Sequence, residues 1–409
     1  MQPTSGKFAS DHPFFTAIAL SLGPAIALGV SRFSYGLLML PMRSDLGWSY
    51  LLAGTMNTAN AFGYFLGALA TPMLIRRWGA RCLLISGALL TGIFTLLSGF
   101  VTEADVLLFQ RMLVGMSSAF VFIAGGVLAA RLGALRGKQM GLLLGLYYGG
   151  SGLGIVLSAL LVPLALAAAQ AHASAHGWQW AWLTLGTICL LAALVMGVVV
   201  SNLPEAPLQD RGHAPARARS LLCGLSSYFM FGVGYIGYMT FVVSLLKQQG
   251  MHDATITVFY SVLGLAVIIS GMLWARMLDR FKGGESMAIL NGLLAVATLL
   301  PVLGKQLPLV FISGILFGAV FMSVVTSTTV LVRHNLPAAA WSSAISMFTT
   351  VFALGQIVGP TIVGWIADGA GGLKRGLVFS AVALLIAALL ARGQRQQDTT
   401  EDRNPLLRT

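Results

Sequence analysis

The chain has 409 residues, 57% of them hydrophobic and only 9% charged, with a mean hydropathy of +0.83. A soluble globular domain carries about 25% charged residues, so water is excluded as the solvent and lipid is implied. The net charge of +12 would suggest nucleic acid in a soluble protein, but no basic-aromatic surface or nucleic-acid motif occurs here, and that class of partner is excluded.

In lipid every backbone polar group must be satisfied internally, so only helices or closed barrels can span. The apolar runs last about 20 residues, the helix length that crosses a hydrocarbon core, and they do not alternate as barrel strands do. The sequence therefore reads as an all-α membrane protein. Residues 1–13 are polar and precede a full-length apolar span, unlike a cleaved signal peptide. Spans are expected at 14–40, 50–75, 82–101, 105–130, 139–168, 178–202, 219–246, 254–278, 285–303, 308–332, 340–367 and 373–392. The longest polar interruption, Asn202 to Arg219, holds Pro204, Pro207 and Pro215 and separates six spans from six. This predicts an N-terminal six-helix bundle (1–203), a cytoplasmic linker (204–218) and a C-terminal six-helix bundle with a short cytoplasmic tail (219–409).

Span 1 carries Arg32 about 18 residues from its start, roughly 27 Å along a helix. A charge at that depth faces a cavity or a partner. Span 2 carries Asn57 and Asn60, three residues apart and so on one face. Span 4 carries Arg111 at a similar depth. Together they predict a polar layer inside the N-terminal half. No Asp or Glu lies in the middle of any span: Asp45, Asp253 and Asp368 sit near one set of ends, Asp279 and Glu285 near the other. Pairs such as Gly63 and Gly67, Gly145 and Gly149, Gly150 and Gly154, and Gly355 and Gly359 are expected to let helices approach closely. Pro360 is expected to kink span 11. Cys82, Cys189 and Cys223 show no disulfide or metal spacing, and His172 and His176 read as an exposed loop pair. No metal and no cofactor are expected.

Loop charge sets orientation. With the N-terminus in the cytoplasm, 18 of the 25 Lys and Arg residues fall inside and 5 outside, leaving Arg32 and Arg111 within spans. Both termini are therefore expected in the cytoplasm of a cell with an inner membrane of bacterial type. The halves look like repeats: Gly29 to Tyr35 in span 1 parallels Gly232 to Tyr238 in span 7, and Arg76-Arg77-Trp78 after span 2 parallels Asp279-Arg280-Phe281 after span 8. Two such halves suggest a carrier working by alternating access, with its site near the midplane between them.

These features resemble the major facilitator superfamily along the whole chain. The loop after span 2 reads Ile75-Arg76-Arg77-Trp78-Gly79-Ala80-Arg81, similar to the family's G-x-L-x-D-R-x-G-R-[KR], with Arg76 where the acid is usual; the second-half copy keeps the acid as Asp279. Arg111-Met112-Leu113-Val114-Gly115 resembles the span 4 RxxxG motif. The glycine-rich stretch from Gly145 to Gly154 resembles the fifth-helix motif without its Gly-Pro, which span 11 has as Gly359-Pro360. Within the superfamily, Ser31-Arg32-Phe33-Ser34-Tyr35-Gly36, Asp45-Leu46-Gly47-Trp48-Ser49 and Asn57-Thr58-Ala59-Asn60 resemble YbfB/YjiJ-type transporters. The Asp-Leu-Gly-Trp-Ser stretch is also similar to carriers of monocarboxylates and oxalate. The resemblance implies a transporter, not an enzyme, and makes Arg76, Arg77, Arg81, Asp279 and Arg280 candidates for gating.

The residues themselves suggest an anion site, because a guanidinium fork matches a carboxylate bidentately. Its candidates are Arg32, Arg111, Asn57 and Asn60, with Tyr35, Tyr147, Tyr148, Tyr235, Tyr238 and Gln356 as further donors or walls. The other reading of the two arginines is that they tie spans 1, 2 and 4 together. The expected cargo is a small organic anion or carboxylate; the alternative is efflux of hydrophobic drugs or metabolites, for which cationic cargo would call for an embedded carboxylate. The chain is expected to act as a monomer in membrane lipid, either as a facilitative carrier or as a secondary active one with a proton as candidate coupling ion, carried on the substrate's own carboxylate or through Asp45.

Overall fold

The computed structural model describes residues 13–134, 140–201, 218–337 and 340–396. Among them every regular element is helical, and twelve helices are long and apolar enough to cross a membrane. They are α1 (Pro13–Leu46), α2 (Tyr50–Trp78), α3 (Ala80–Phe100), α4 (Ala104–Ala134), α5 (Met140–Ala171), α6 (Gly177–Val200), α7 (Ala218–Gln248), α8 (Asp253–Arg280), α9 (Glu285–Leu303), α10 (Leu307–Asn335), α11 (Trp341–Asp368) and α12 (Gly372–Arg392). The first six and last six form two bundles. The linker expected at 204–218 lies outside the described residues, apart from Ala218. The end at which α1 starts and α12 stops is called the terminus end below; the opposite end is the far end.

Helix identity follows from the solvent, since only intrahelical bonds can satisfy the backbone in hydrocarbon. Large apolar side chains such as Met73, Leu164, Val198 and Leu389 point outward, as a lipid-facing surface requires. In α1 and α7 the most apolar stretch is 78% and 89% buried, against 33% in α6, which puts α1 and α7 at the centre and α6 on the rim. Helix α1 runs six residues beyond the expected end at 40, through Pro41 to Leu46, and stops at Gly47 with a φ of +66°. That left-handed conformation is easy for glycine and ends the helix. Helix α8 breaks at Trp274, whose indole N–H donates to the Ala319 carbonyl at 2.8 Å.

Glycines set the closest crossings. A methyl group on Gly63 would overlap the Met112 carbonyl, and one on Gly115 would overlap the Asn60 carbonyl, so α2 and α4 touch backbone to backbone. Gly29 and Gly154 do the same for α1 and α5. Between the bundles, Gly152 meets Gly264 where α5 crosses α8, and Gly54 meets the Pro360 carbonyl where α2 crosses α11.

Both interbundle seams open toward the terminus end. On α5, Gly152 and Gly149 face α8, but Gly145, one turn nearer the terminus end, has nothing within 4 Å of where a side chain would begin. On α8, Gly271 is equally free. The expected close packing of Gly145 is therefore absent, because its helices have already diverged at that level. On α2 the stripe Gly54, Thr58, Phe62 tells the same story: the first two touch α11, while Phe62 is 43% exposed, as is Leu354 of α11 at 42%. The bundles form a V whose apex is the far end.

The apex is tied by polar contacts between bundles. Asp368, ending α11, accepts from the backbone N–H groups of Tyr50 and Leu51 at 2.7 and 2.8 Å. The Gln248 amide donates to the Tyr50 hydroxyl at 2.6 Å, and the Thr58 hydroxyl donates to the Ile357 carbonyl at 2.8 Å. Deeper in, the Asn57 amide donates to the Thr240 hydroxyl at 2.7 Å.

Candidate functional site

Helix α1 changes its winding where it reaches the middle of the V. From Ala25 to Phe33 it is a π-helix, and the Ser34 N–H donates back to the Gly29 carbonyl at 3.2 Å. Such widened turns are rare and cluster at functional sites. Five carbonyls of this segment accept from side chains: Ala27 from the Ser31 hydroxyl, Gly29 from the Ser158 hydroxyl at 3.5 Å, Val30 from the Ser34 hydroxyl, Ser31 from Arg111 Nη1 at 2.7 Å, and Phe33 from the Tyr260 hydroxyl of the other bundle at 2.8 Å.

The two intramembrane arginines meet opposite fates on this segment. Arg111 is buried and internally engaged. Besides the Ser31 carbonyl it reaches Asn57 Oδ1 at 3.5 Å, and the rings of Tyr35 and Trp182 lie 5.2 Å from its guanidinium carbon; only Nε lacks a partner. The Asn60 amide donates to the Arg111 carbonyl at 3.2 Å. Arg111, Asn57 and Asn60 are thus brought together, and they tie α1, α2 and α4.

Arg32, only 2% exposed, has no hydrogen-bond or ion-pair partner among the described residues. Its Nε and Nη2 are both buried without partners. These two atoms form one edge of the guanidinium, the edge that takes a carboxylate with two parallel hydrogen bonds. The Tyr64 ring lies 5.6 Å from its guanidinium carbon. Leaving a charged donor buried and unpaired is expensive, well above the roughly 1–3 kcal/mol of a neutral group.

The surroundings of Arg32 come from both bundles. Tyr64 has Arg32, Tyr235 and Tyr148 as its polar neighbours. Tyr235 of α7 accepts from the Gln356 amide of α11 at 2.6 Å, and whichever way that amide is turned, one of its ends stays unpaired. Tyr148 of α5 packs edge-on against Tyr147 at 5.1 Å yet keeps 41% of its surface open, on the side of α5 that faces the V.

The other candidates point elsewhere. The Tyr35 hydroxyl donates to the Ala53 carbonyl at 2.7 Å, Tyr147 donates to the Phe122 carbonyl at 2.6 Å, and Tyr238 pairs with the Ser313 hydroxyl at 2.7 Å. The arrangement therefore gathers Arg32, Tyr148, Tyr235 and Gln356 at one place, with Tyr64, which the sequence reading omitted. Tyr64 lies four residues after Asn60 and seven after Asn57, on the same helical stripe, so the signal was present.

At the terminus end Arg76 and Arg77 are exposed in the last turn of α2, where cations suit the helix dipole. Arg81 Nη1 donates to the Ser201 carbonyl, joining α3 to α6. Asp279 and Arg280 are exposed at the end of α8, with Arg280 over Phe281 at 5.9 Å; no ion pair among the described residues links Asp279 to the arginines. His176 contacts Asp45 Oδ2 at 2.6 Å, and the Trp178 indole donates to the same oxygen at 2.6 Å, while His172 stacks on Trp180. A surface recess of about 400 Å³ at the far end, lined partly by Gln248, Lys305 and Lys374, is remote from Arg32.

Residues 24–392 match the family described as "Uncharacterised MFS-type transporter YbfB". The chain is 25% identical to the "Putative tartrate transporter" of Agrobacterium vitis, across 88% of this chain and 85% of that one. It is 24% identical to the "Purine ribonucleoside efflux pump NepI" of Escherichia coli K12, across 94% of this chain and 95% of the pump. Its fold matches that of a bacterial homologue of the human lysosomal transporter Spinster, solved inward-facing and unoccupied, with a TM-score of 0.70 at 17% identity over 92% of this chain and 95% of that one.

Proposed function

This chain belongs to the YbfB-type family of the major facilitator superfamily, and from that membership we propose that it carries a small organic anion, a carboxylate, by alternating access. The family consists of membrane transporters, not enzymes. The cargo reading rests on one observation above all, the unpaired Nε and Nη2 edge of Arg32. A buried cation with no protein counter-ion is completed by an anionic ligand, and a carboxylate fits that edge with two hydrogen bonds. The Agrobacterium vitis relative, named for tartrate, supports the same cargo class.

In this reading Arg32 holds the carboxylate, and Tyr64, Tyr148, Tyr235 and Gln356 surround the rest of the molecule. Arg111, Asn57 and Asn60 hold the π-helical segment in place. Basic loops support a cytoplasmic terminus end, which makes the V the inward-facing state and turns its tied apex outward. Arg76, Arg77, Arg81, Asp279 and Arg280 would come together when the cytoplasmic end closes. A proton, the candidate coupling ion, would travel on the substrate's own carboxylate, since Asp45 is already held by His176 and Trp178.

The purified protein tests this against efflux of hydrophobic compounds. Its melting temperature is measured with carboxylates and with lipophilic cations. Stabilisation by carboxylates alone is expected; stabilisation by the cations alone would remove the anion reading.

A further inference from the structure

The charge and shape of the surroundings of Arg32 narrow the class of carboxylate. Two cations, Arg32 and Arg111, lie at mid-depth among the described residues, and of these Arg32 is the one with no hydrogen bond. Both terminal nitrogens of Arg111 are directed at protein oxygens, and its planar faces are covered by Tyr35 and Trp182. A substrate with two carboxylates would leave the second one at the depth of Arg32 with no free cation beside it, and an unpaired buried charge is strongly unfavourable. A single free guanidinium therefore selects a single carboxylate.

The C-terminal bundle faces Arg32 with aromatic rings in near-parallel array. Tyr235 stacks on Phe231 at 4.9 Å and on Phe321 at 5.6 Å, with interplanar angles of 21° and 12°. Phe352 lies 5.6 Å from Tyr235 at 18°. These rings come from α7, α10 and α11, so three helices build one aromatic cluster beside Arg32. On the other side Tyr64 covers Arg32, and Tyr148 stands open to the V. Aromatic faces favour a planar partner in offset or edge-on contact. A flexible polyhydroxylated body would instead require hydrogen-bonding groups along its whole length, whereas those beside Arg32 are the hydroxyls at the tips of Tyr64, Tyr148 and Tyr235 and the Gln356 amide, set among aromatic rings.

Resting on the anion reading above, we infer that the preferred cargo is an aromatic monocarboxylate, its carboxylate on the Nε and Nη2 edge of Arg32 and its ring along the wall headed by Tyr235. The N-terminal bundle supplies the charge and the C-terminal bundle supplies the aromatic cluster, so the ligand bridges the two.

The test is a set of dissociation constants for the purified full-length protein, read by thermal shift or titration calorimetry. The ligands are benzoate, cyclohexanecarboxylate, benzamide, terephthalate and tartrate. Benzoate is expected to bind about 2- to 10-fold more tightly than cyclohexanecarboxylate, the factor of one aromatic pair, and more tightly than either dianion; benzamide is expected not to bind. Tyr235→Leu is expected to weaken benzoate and leave cyclohexanecarboxylate unchanged, provided its own melting temperature stays near wild type. Equal binding of benzoate and cyclohexanecarboxylate, or tighter binding of tartrate, would overturn the aromatic monocarboxylate while leaving the anion reading intact. Binding of benzamide with no carboxylate bound would overturn both.

Discussion

The carboxylate of Asp368 caps the N-terminus of α2 from the opposite bundle, its Oδ1 accepting the Tyr50 N–H at 2.7 Å. Its second oxygen takes the Leu51 N–H at 2.8 Å. A helix begins with N–H groups that have no intrahelical acceptor and carries partial positive charge there, so an anion at that point is stabilising. The cap joins α11 to α2 only while the far end is closed, and it must break if the V inverts.

Asp368→Asn is therefore expected to loosen the apex. A carboxylate at a helix start contributes about 0.3–2 kcal/mol, so the balance of states should move by roughly 2- to 30-fold toward the far-end-open form. Thr58→Cys, half-buried in that seam beside Ile357, reports it in a background lacking Cys82, Cys189 and Cys223. Faster labelling by an impermeant maleimide from outside is the expected result; an unchanged rate would mean that the cap does not hold the gate.

Arg111→Ala is expected to destabilise the protein by about 2–4 kcal/mol, since it strips partners from the Ser31 carbonyl and Asn57 inside a low-dielectric core. The melting temperature in detergent should fall by several degrees. Arg32→Met should leave it unchanged or raise it, because an unpaired buried charge is replaced by an apolar chain of similar length. A larger drop for Arg32→Met than for Arg111→Ala would reverse the roles given to the two arginines.

Gly63→Ala should lower the melting temperature, because the new methyl meets the Met112 carbonyl and neither helix can yield without opening the α2–α4 crossing; overpacking of this kind costs about 1–3 kcal/mol. Gly145→Ala meets nothing in this state and should be neutral or slightly stabilising. Gly145→Leu should also fold normally but slow transport, since the face left open here must close on α8 when the other state forms. Parallel melting curves and proteoliposome uptake separate these outcomes; normal uptake by Gly145→Leu would show that the two helices do not meet at that level.

Much of the architecture was readable because lipid restricts the options so severely. The ninth span, Glu285–Leu303, matches its expected limits, and the other helices extend little beyond theirs. The exception is α1. Pro41 reads as a stop in a local sense, yet tertiary packing carries the helix on to Gly47. The π-helical turn at 25–33 leaves no local signature, because it depends on Gly29 lying against Gly154 and on side chains from α4 and α8 reaching its carbonyls. The same dependence explains why Arg32 and Arg111 look equivalent in sequence. Depth and residue type are shared; the acceptor at Ser31 is offered to only one of them. Tyr64 could have been placed with Asn57 and Asn60 by helical spacing, whereas the parallel stacking of Tyr235 with Phe231, Phe321 and Phe352 required the fold of three helices.

Carboxylate binding by Arg32→Met, compared with wild type at matched thermal stability, bears most directly on the account. Benzoate affinity measured by calorimetry is expected to fall at least about 100-fold, the order lost with a bidentate charge-assisted pair, with Arg32→Lys recovering only part of it because an ammonium cannot present the fork. Benzoate affinity within a factor of about two of wild type in Arg32→Met would contradict it, since the loss of a paired charge moves binding far more than that.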